Sequence, residues 1–278
     1  MPLWKRQPPP QIIAPTMHQW FGTELGAALL KQEQRLIGDE LADLFGYHLL
    51  QLGFDSNIAL FGECRVQRCF QAGPVLPTAQ SSAHAFVQCD FDALPFETDS
   101  LDGVVVHHVL EFAANPHAVL RELYRVTLPQ GKVLIVGFNP WSMFGARMLS
   151  GRWQSETLWH NHLLSAARVT DWLELLGFNV QKTQFGFHRL PFHRTAHWLG
   201  TAPDSRVSAA LRHLPMGAVY VLTAVKQVVA TTALKPRWRP QVTINPLPIA
   251  KPSASVGQRR EWLKFIKTHS TKGSHEDS

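Results

Sequence analysis

Residues 89–111 constrain this chain more than any other stretch. Cys89-Asp90-Phe91-Asp92-Ala93-Leu94-Pro95-Phe96-Glu97-Thr98-Asp99-Ser100 is dense in turn formers; an apolar run follows and ends in His107, His108 and Glu111. A strand that is apolar throughout is one buried on both faces, as in a parallel sheet, and its polar end lies on the carboxyl edge where ligands bind. The flanking sequence must then supply crossover helices and further strands.

It does so in order. Phe21, Leu25, Leu29, Leu36, Leu41 and Leu44 recur mainly at three- and four-residue steps, with Thr23 as a helix cap, so residues 16–45 read as one or two amphipathic helices. Strands are expected at 46–53, 65–70, 84–88, 103–107 and 132–138. Between the last two, Asn115-Pro116 opens a helix carrying Val119, Leu120, Leu123 and Val126, and Pro129-Gln130-Gly131 turns the chain back. A helix at 168–176 stopped by Gly177, a sixth strand at 179–185 and a seventh at 217–227 complete a doubly wound α/β plan.

Two of these segments resemble signatures of the class I S-adenosylmethionine-dependent methyltransferases of type 11. Asp90, Leu94-Pro95-Phe96 and Ser100-Leu101-Asp102 follow the family pattern Asp-x-x-x-Leu-Pro-Phe, polar spacer, Ser-Phe-Asp. Leu120-Arg121-Glu122 through Arg125-Val126 to Pro129-Gln130-Gly131 follows Leu-Arg-Glu-x-x-Arg-Val-Leu-x-Pro-Gly-Gly. Over residues 16–230 the chain is also similar to a group of uncharacterised bacterial type 11 proteins. The resemblance implies a mostly parallel, seven-stranded, Rossmann-like methyltransferase fold with an N-terminal helical cap. It also implies S-adenosyl-L-methionine as cofactor and a bacterial cytoplasmic setting but carries no substrate with it; the acceptor is expected to be a small or lipid-like molecule. The expected divisions are a flexible start at 1–15, the cap at 16–45, the methyltransferase domain at 46–233 and a tail at 234–278.

The first signature departs from the family. Leu50-Gln51-Leu52-Gly53-Phe54-Asp55-Ser56-Asn57 stands where relatives have Leu-Asp-x-Gly-x-Gly-x-Gly, so only Gly53 survives. Asp and Asn tolerate positive φ better than other residues, so Asp55 and Asn57 can preserve the turn. The acidic residue that usually ends the second strand has no counterpart, since Gln71 and Ala72 follow the strand and Glu63 precedes it. Only 36 residues separate Gly53 from Asp90, too few for the usual helices and strands without trimming.

By resemblance, Gly53, Asp55, Asn57, Asp90, Phe91 and His107 face the cofactor, Asp90 toward the adenine; Asp90 as an ordinary turn-capping residue is the alternative. His107 and His108 are candidates for a general base, needed only where the acceptor must lose a proton. Strand alternation sends the two to opposite faces, so one of them is expected in the core. Asn139, Trp141 and Arg147, on the next edge, are candidates for binding substrate, or simply form a helix start with a buried tryptophan. Asp102 reads as structural.

Three cysteines without paired spacing, Cys64, Cys69 and Cys89, point to neither disulfides nor a zinc site, and His193 and His197, though four apart, lack a carboxylate or cysteine set nearby, so no metal is expected. No apolar run is long enough to span a membrane, and the proline-rich start lacks the apolar segment of a secretory signal. Residues 1–233 hold 18 basic and 18 acidic residues, while the tail holds 9 and 3, an excess equal to the whole formal charge of +6. This basic, proline-rich tail reads as disordered and solvated, with nucleic acid or anionic lipid as alternative contacts. Two functions follow: an active methyltransferase, or a catalytically inactive relic of one that binds a partner.

Overall fold

A computed structural model describes residues 8–62, 64–77, 84–143, 145, 163–188 and 215–227. Helix α1 (Pro10–Phe21) opens the described chain, so the cap begins before the expected residue 16. Helix α2 (Glu24–Leu41) follows, its first turn capped by the Thr23 hydroxyl, which accepts from the Gly26 amide. Gly26 permits this abrupt reversal, since a Cβ there would lie 2.2 Å from the Trp20 carbonyl oxygen.

Seven strands form one sheet in the order β3-β2-β1-β4-β5-β7-β6. They are β1 (Phe45–Gly53), β2 (Arg65–Gly73), β3 (Ala85–Gln88), β4 (Leu101–His107), β5 (Thr127–Phe138), β6 (Phe178–Gly186) and β7 (Val219–Lys226). The first five are parallel; β7 inserts antiparallel between β5 and β6. β1 and β4 sit at the sheet's centre, where the strand order reverses, with Gly53 paired in register with His107. In doubly wound sheets that reversal opens the ligand crevice.

Helices cover both faces. On β7, Thr223 donates to Glu40 of α2. Lys226, three residues on and therefore on the opposite face, donates to the Tyr124 and Thr127 carbonyls at the end of α3 (Pro116–Val126). Helix α4 (Ala166–Leu176) is capped by Ser165 and stopped by Gly177 at φ 97°, a left-handed position that suits glycine. The turn expected at Pro129-Gln130-Gly131 lies instead inside β5 as a bulge. The β4–β5 register jumps from Leu101↔Thr127 to Gly103↔Lys132, and Gln130 absorbs the excess chain at φ 66°. Among the described residues no helix lies between β1, β2 and β3.

Candidate active site

The two complete signatures hold each other. The Arg125 guanidinium donates to the Phe96 carbonyl at 2.7 Å and the Leu94 carbonyl at 2.9 Å, and forms a salt bridge with Glu122 at 2.7 Å. Glu122 in turn accepts from the Leu94 amide. The Leu-Pro-Phe loop is thereby fixed by the next helix, and Asp90 is placed beyond β3 with its side chain exposed. Phe91 turns inward against Phe54, ring centroids 5.0 Å apart, so only its backbone remains for a ligand. Asp102 is structural: its carboxylate accepts from the Tyr47 and His48 amides and pins the start of β1.

The altered first signature is rebuilt by side chains. Gln51 donates to the Ile58 carbonyl at 2.6 Å and accepts from the Leu60 amide, while Gln71 donates to the same carbonyl at 2.8 Å. A carboxylate at either position could not donate, which accounts for amides where the family carries acids. Asp55 and Asn57 do not take up the expected positive φ; among the described non-glycine residues only Asp99, His108, Gln130 and Phe187 do. Instead the Asp55 carboxylate accepts from the Asn57 amide at 3.0 Å, closing an Asx turn, and pairs with His18 of α1 at 2.9 Å. Both side chains are committed to the fold. Gly53 is not: an added Cβ would meet nothing closer than the His107 carbonyl oxygen at 3.7 Å.

At the end of β4 the two imidazoles do not part as alternation requires. His108 leaves the strand at φ 51°, a left-handed conformation that turns its ring to the side already taken by His107. Both then meet Glu33, which α2 inserts from the cap: His107 Nε2 lies 3.1 Å from Glu33 Oε2 and His108 Nε2 lies 2.9 Å from Glu33 Oε1. His108 Nδ1 approaches Glu111 Oε1 at 3.2 Å, and that oxygen also accepts from the Phe138 amide. Glu33 and His108 have no solvent exposure, His107 and Glu111 only 2% each. Phe21 stacks on His107 and Phe138 on His108, closing the cluster.

Burial raises the Glu33 carboxyl, but the His108 charge and hydrogen bonds from both imidazoles outweigh it and hold it at about 2. Burial lowers His107. His108 is pushed up to about 9, since the Glu33 and Glu111 carboxylates outweigh its burial. Both imidazoles are buried and engaged with Glu33, so in this arrangement neither is presented to an acceptor as a general base. Glu33 escaped the sequence reading, although a signal existed: the apolar steps in α2 skip from Leu29 to Leu36, and Glu33 fills the missing buried position.

Asn139 is likewise consumed by the fold. Its amide donates to the Pro215 and Gly217 carbonyls and its oxygen accepts from the Trp141 amide, tying β5 to the start of β7. The expected substrate hydrogen bond has no donor left. Trp141, expected either in a pocket or buried, is 79% exposed at this edge, and Met143 and Met216 are exposed as well. Arg147, Glu63, His193, His197 and the tail lie outside the described residues. Among the described residues Cys64 and Cys69 are free thiols whose sulfurs lie 2.9 Å apart, a proximity their spacing did not announce.

A doubly wound sheet with a late antiparallel strand is the plan of a class I methyltransferase. Residues 67–135 match the type 11 family model, described as a methyltransferase domain. The chain is 29% identical over 225 residues to the uncharacterized protein YafS of Escherichia coli, a match covering 81% of this chain and 86% of the relative. An uncharacterized protein of Methanocaldococcus jannaschii, MJ1123, is 33% identical over 99 residues, covering 35% and 48%. Among solved structures, a SAM-dependent methyltransferase of Thermotoga maritima superposes with a TM-score of 0.60 at 14% identity, covering 78% of this chain and 97% of that one. One from Archaeoglobus fulgidus gives 0.50 at 16%, covering 73% and 98%. At these identities the structural likeness establishes the fold. No helix among the described residues is long and apolar enough to cross a membrane.

Proposed function

We propose that the chain is an S-adenosylmethionine-dependent methyltransferase acting on a small acceptor with an apolar or aromatic part. The observation that carries this is Gly53: the protein's own packing does not demand a glycine at the end of β1, yet the position faces the β4 edge without a side chain. Close approach of a ligand is the remaining use for it. The His107 backbone carbonyl, rather than its imidazole, then borders the methionyl end of the cofactor, and the exposed Asp90 carboxylate with the Phe91 backbone receives the adenine. Trp141, exposed like Met143 and Met216, offers an apolar face to the acceptor.

The bound cofactor supplies an electrophilic methyl group on a sulfonium. What the chain contributes is approach geometry and exclusion of water, effects worth roughly 7–11 kcal/mol where reactants are well oriented. The cap serves the second purpose by placing Trp20 and Phe21 over the ends of β4 and β5. With both histidines withdrawn from solvent, acceptors that attack without a general base are favoured.

A second reading has its own observation. The altered first signature and the Asp55–His18 contact remove groups on which relatives rely, as expected of a relic that binds a partner without catalysis. Calorimetric titration with S-adenosylhomocysteine separates the two. Micromolar affinity, about −8 kcal/mol, abolished by Asp90→Ala, is the expected result. No heat at millimolar ligand overturns the enzyme reading.

A further inference from the structure

We propose that Glu33, His107 and His108 form a binding site for one divalent transition-metal ion of the zinc class, which clips the N-terminal cap to the end of β4. One ligand atom from each of the three lies within 4.8 Å of the others. Each imidazole lies within reach of one oxygen of the same carboxylate, His107 Nε2 at 3.1 Å from Oε2 and His108 Nε2 at 2.9 Å from Oε1, near the roughly 3.3 Å that separates ligand atoms around a tetrahedral ion with bonds of about 2.0–2.1 Å. Two imidazoles and one carboxylate suit zinc, iron or nickel better than magnesium or calcium.

Three further observations point to an ion rather than a plain hydrogen-bonded cluster. The first is backbone strain. His108 adopts a left-handed φ of 51°, and the effect of that conformation is to bring its Nε2 onto Glu33, the same carboxylate that His107 Nε2 meets. The second is the outer support. The other nitrogen of His108 faces Glu111, whose oxygen is itself fixed by the Phe138 amide, the carboxylate–histidine arrangement that orients metal-ligating imidazoles. The third is charge. Two carboxylates are buried, and among the described residues Glu111 Oε2 has no hydrogen-bond partner. A divalent ion held between them offsets both carboxylates.

The site is assembled only when α2 is docked, because Glu33 comes from the cap and both histidines from β4. Phe21 and Phe138 cover the imidazoles, so the ion enters as the cap closes and stabilises the closed form. This inference does not rest on cofactor binding.

The test uses the full chain purified without chelator. Elemental analysis is expected to find about one zinc-class ion per chain. After chelation, added Zn2+ should raise the thermal midpoint, and Co2+ should give the visible d–d absorption of a low-coordinate site. His107→Ala should abolish that absorption, with folding confirmed by far-ultraviolet circular dichroism. Glu111→Gln should leave the absorption but weaken affinity about 10–100-fold. A folded wild-type chain that holds no stoichiometric metal, shows no Zn2+-dependent shift and gives no Co2+ absorption overturns the proposal. So does an absorption that persists unchanged in His107→Ala, since it then belongs to other histidines. If His107→Ala does not fold, the wild-type titrations decide. S-adenosylhomocysteine titration of the metal-free and metal-loaded chains, run separately, reports on the methyltransferase reading alone.

Discussion

The two halves of the sheet are built by different means. From β4 outward, each strand is joined to the next through helices or antiparallel pairing, and ionic side chains grip main-chain carbonyls: Arg125 holds Leu94 and Phe96, and Lys226 holds Tyr124 and Thr127 while pairing with Asp99. From β1 to β3 no helix is described, and neutral amides hold one folded-back connection, with Gln51 and Gln71 sharing the Ile58 carbonyl. The family match runs from residue 67 in β2 to residue 135 in β5, and the signature that departs is the one at the end of β1. The reason is physical: a clamp that depends on a guanidinium or ammonium at one position leaves its motif in the sequence, whereas a loop can be fastened by several combinations of donors and acceptors.

The comparison breaks most severely at the cap, which bridges the halves. Glu33→Ala removes the carboxylate from two buried imidazoles and should destabilise the protein by about 3–5 kcal/mol in urea unfolding; a loss under 1 kcal/mol would show that the cluster does not hold the cap. Next comes Gln51→Leu, which strands the buried Leu60 amide and weakens the hold on Ile58. A loss of about 2–3 kcal/mol is expected, with hydrogen exchange accelerated over residues 54–61 and unchanged in β5. Uniform acceleration would mean that the halves are not independent.

Lys226→Met should follow at about 1–3 kcal/mol, and here the exchange should rise together in α3 and the end of β7, the opposite signature. The smallest effect belongs to Glu122. A hydrogen bond from Arg125 lowers its carboxyl below the ordinary value, against the opposing effect of burial. The folded value is the lower one, so this contribution is fully present above the unfolded value of 4.5 and is lost as pH falls through the folded value. Glu122→Gln should therefore lower stability slightly near neutrality and flatten the acid limb below pH 4.5, where the variant and the wild type converge. An unchanged acid limb would remove this pair from the account of the half from β4 outward.

Apolar periodicity and turn formers, which act within a few residues, fixed much that is seen. The Thr23 cap, the helix opened by Asn115-Pro116, the stop at Gly177 and the positions of all seven strands follow from local rules. The exceptions are equally specific. Pro129-Gln130-Gly131 has the composition of a free turn, but β4 pairs with it and converts it to a bulge. Asp55 and Asn57 suit a left-handed loop, but the helix α1 that supplies His18 settles their role.

The site itself was legible in part. The chain by itself determined that a buried strand would deliver His107 and His108 to the carboxyl edge beside Gly53, because alternation, burial and parallel pairing are properties of short segments. Only the tertiary structure decided that both histidines meet one carboxylate. That carboxylate lies 74 residues from His107, and the meeting requires a helix docked across the sheet edge and a single left-handed residue. No local pattern encodes either, since each is held by packing between elements distant in sequence.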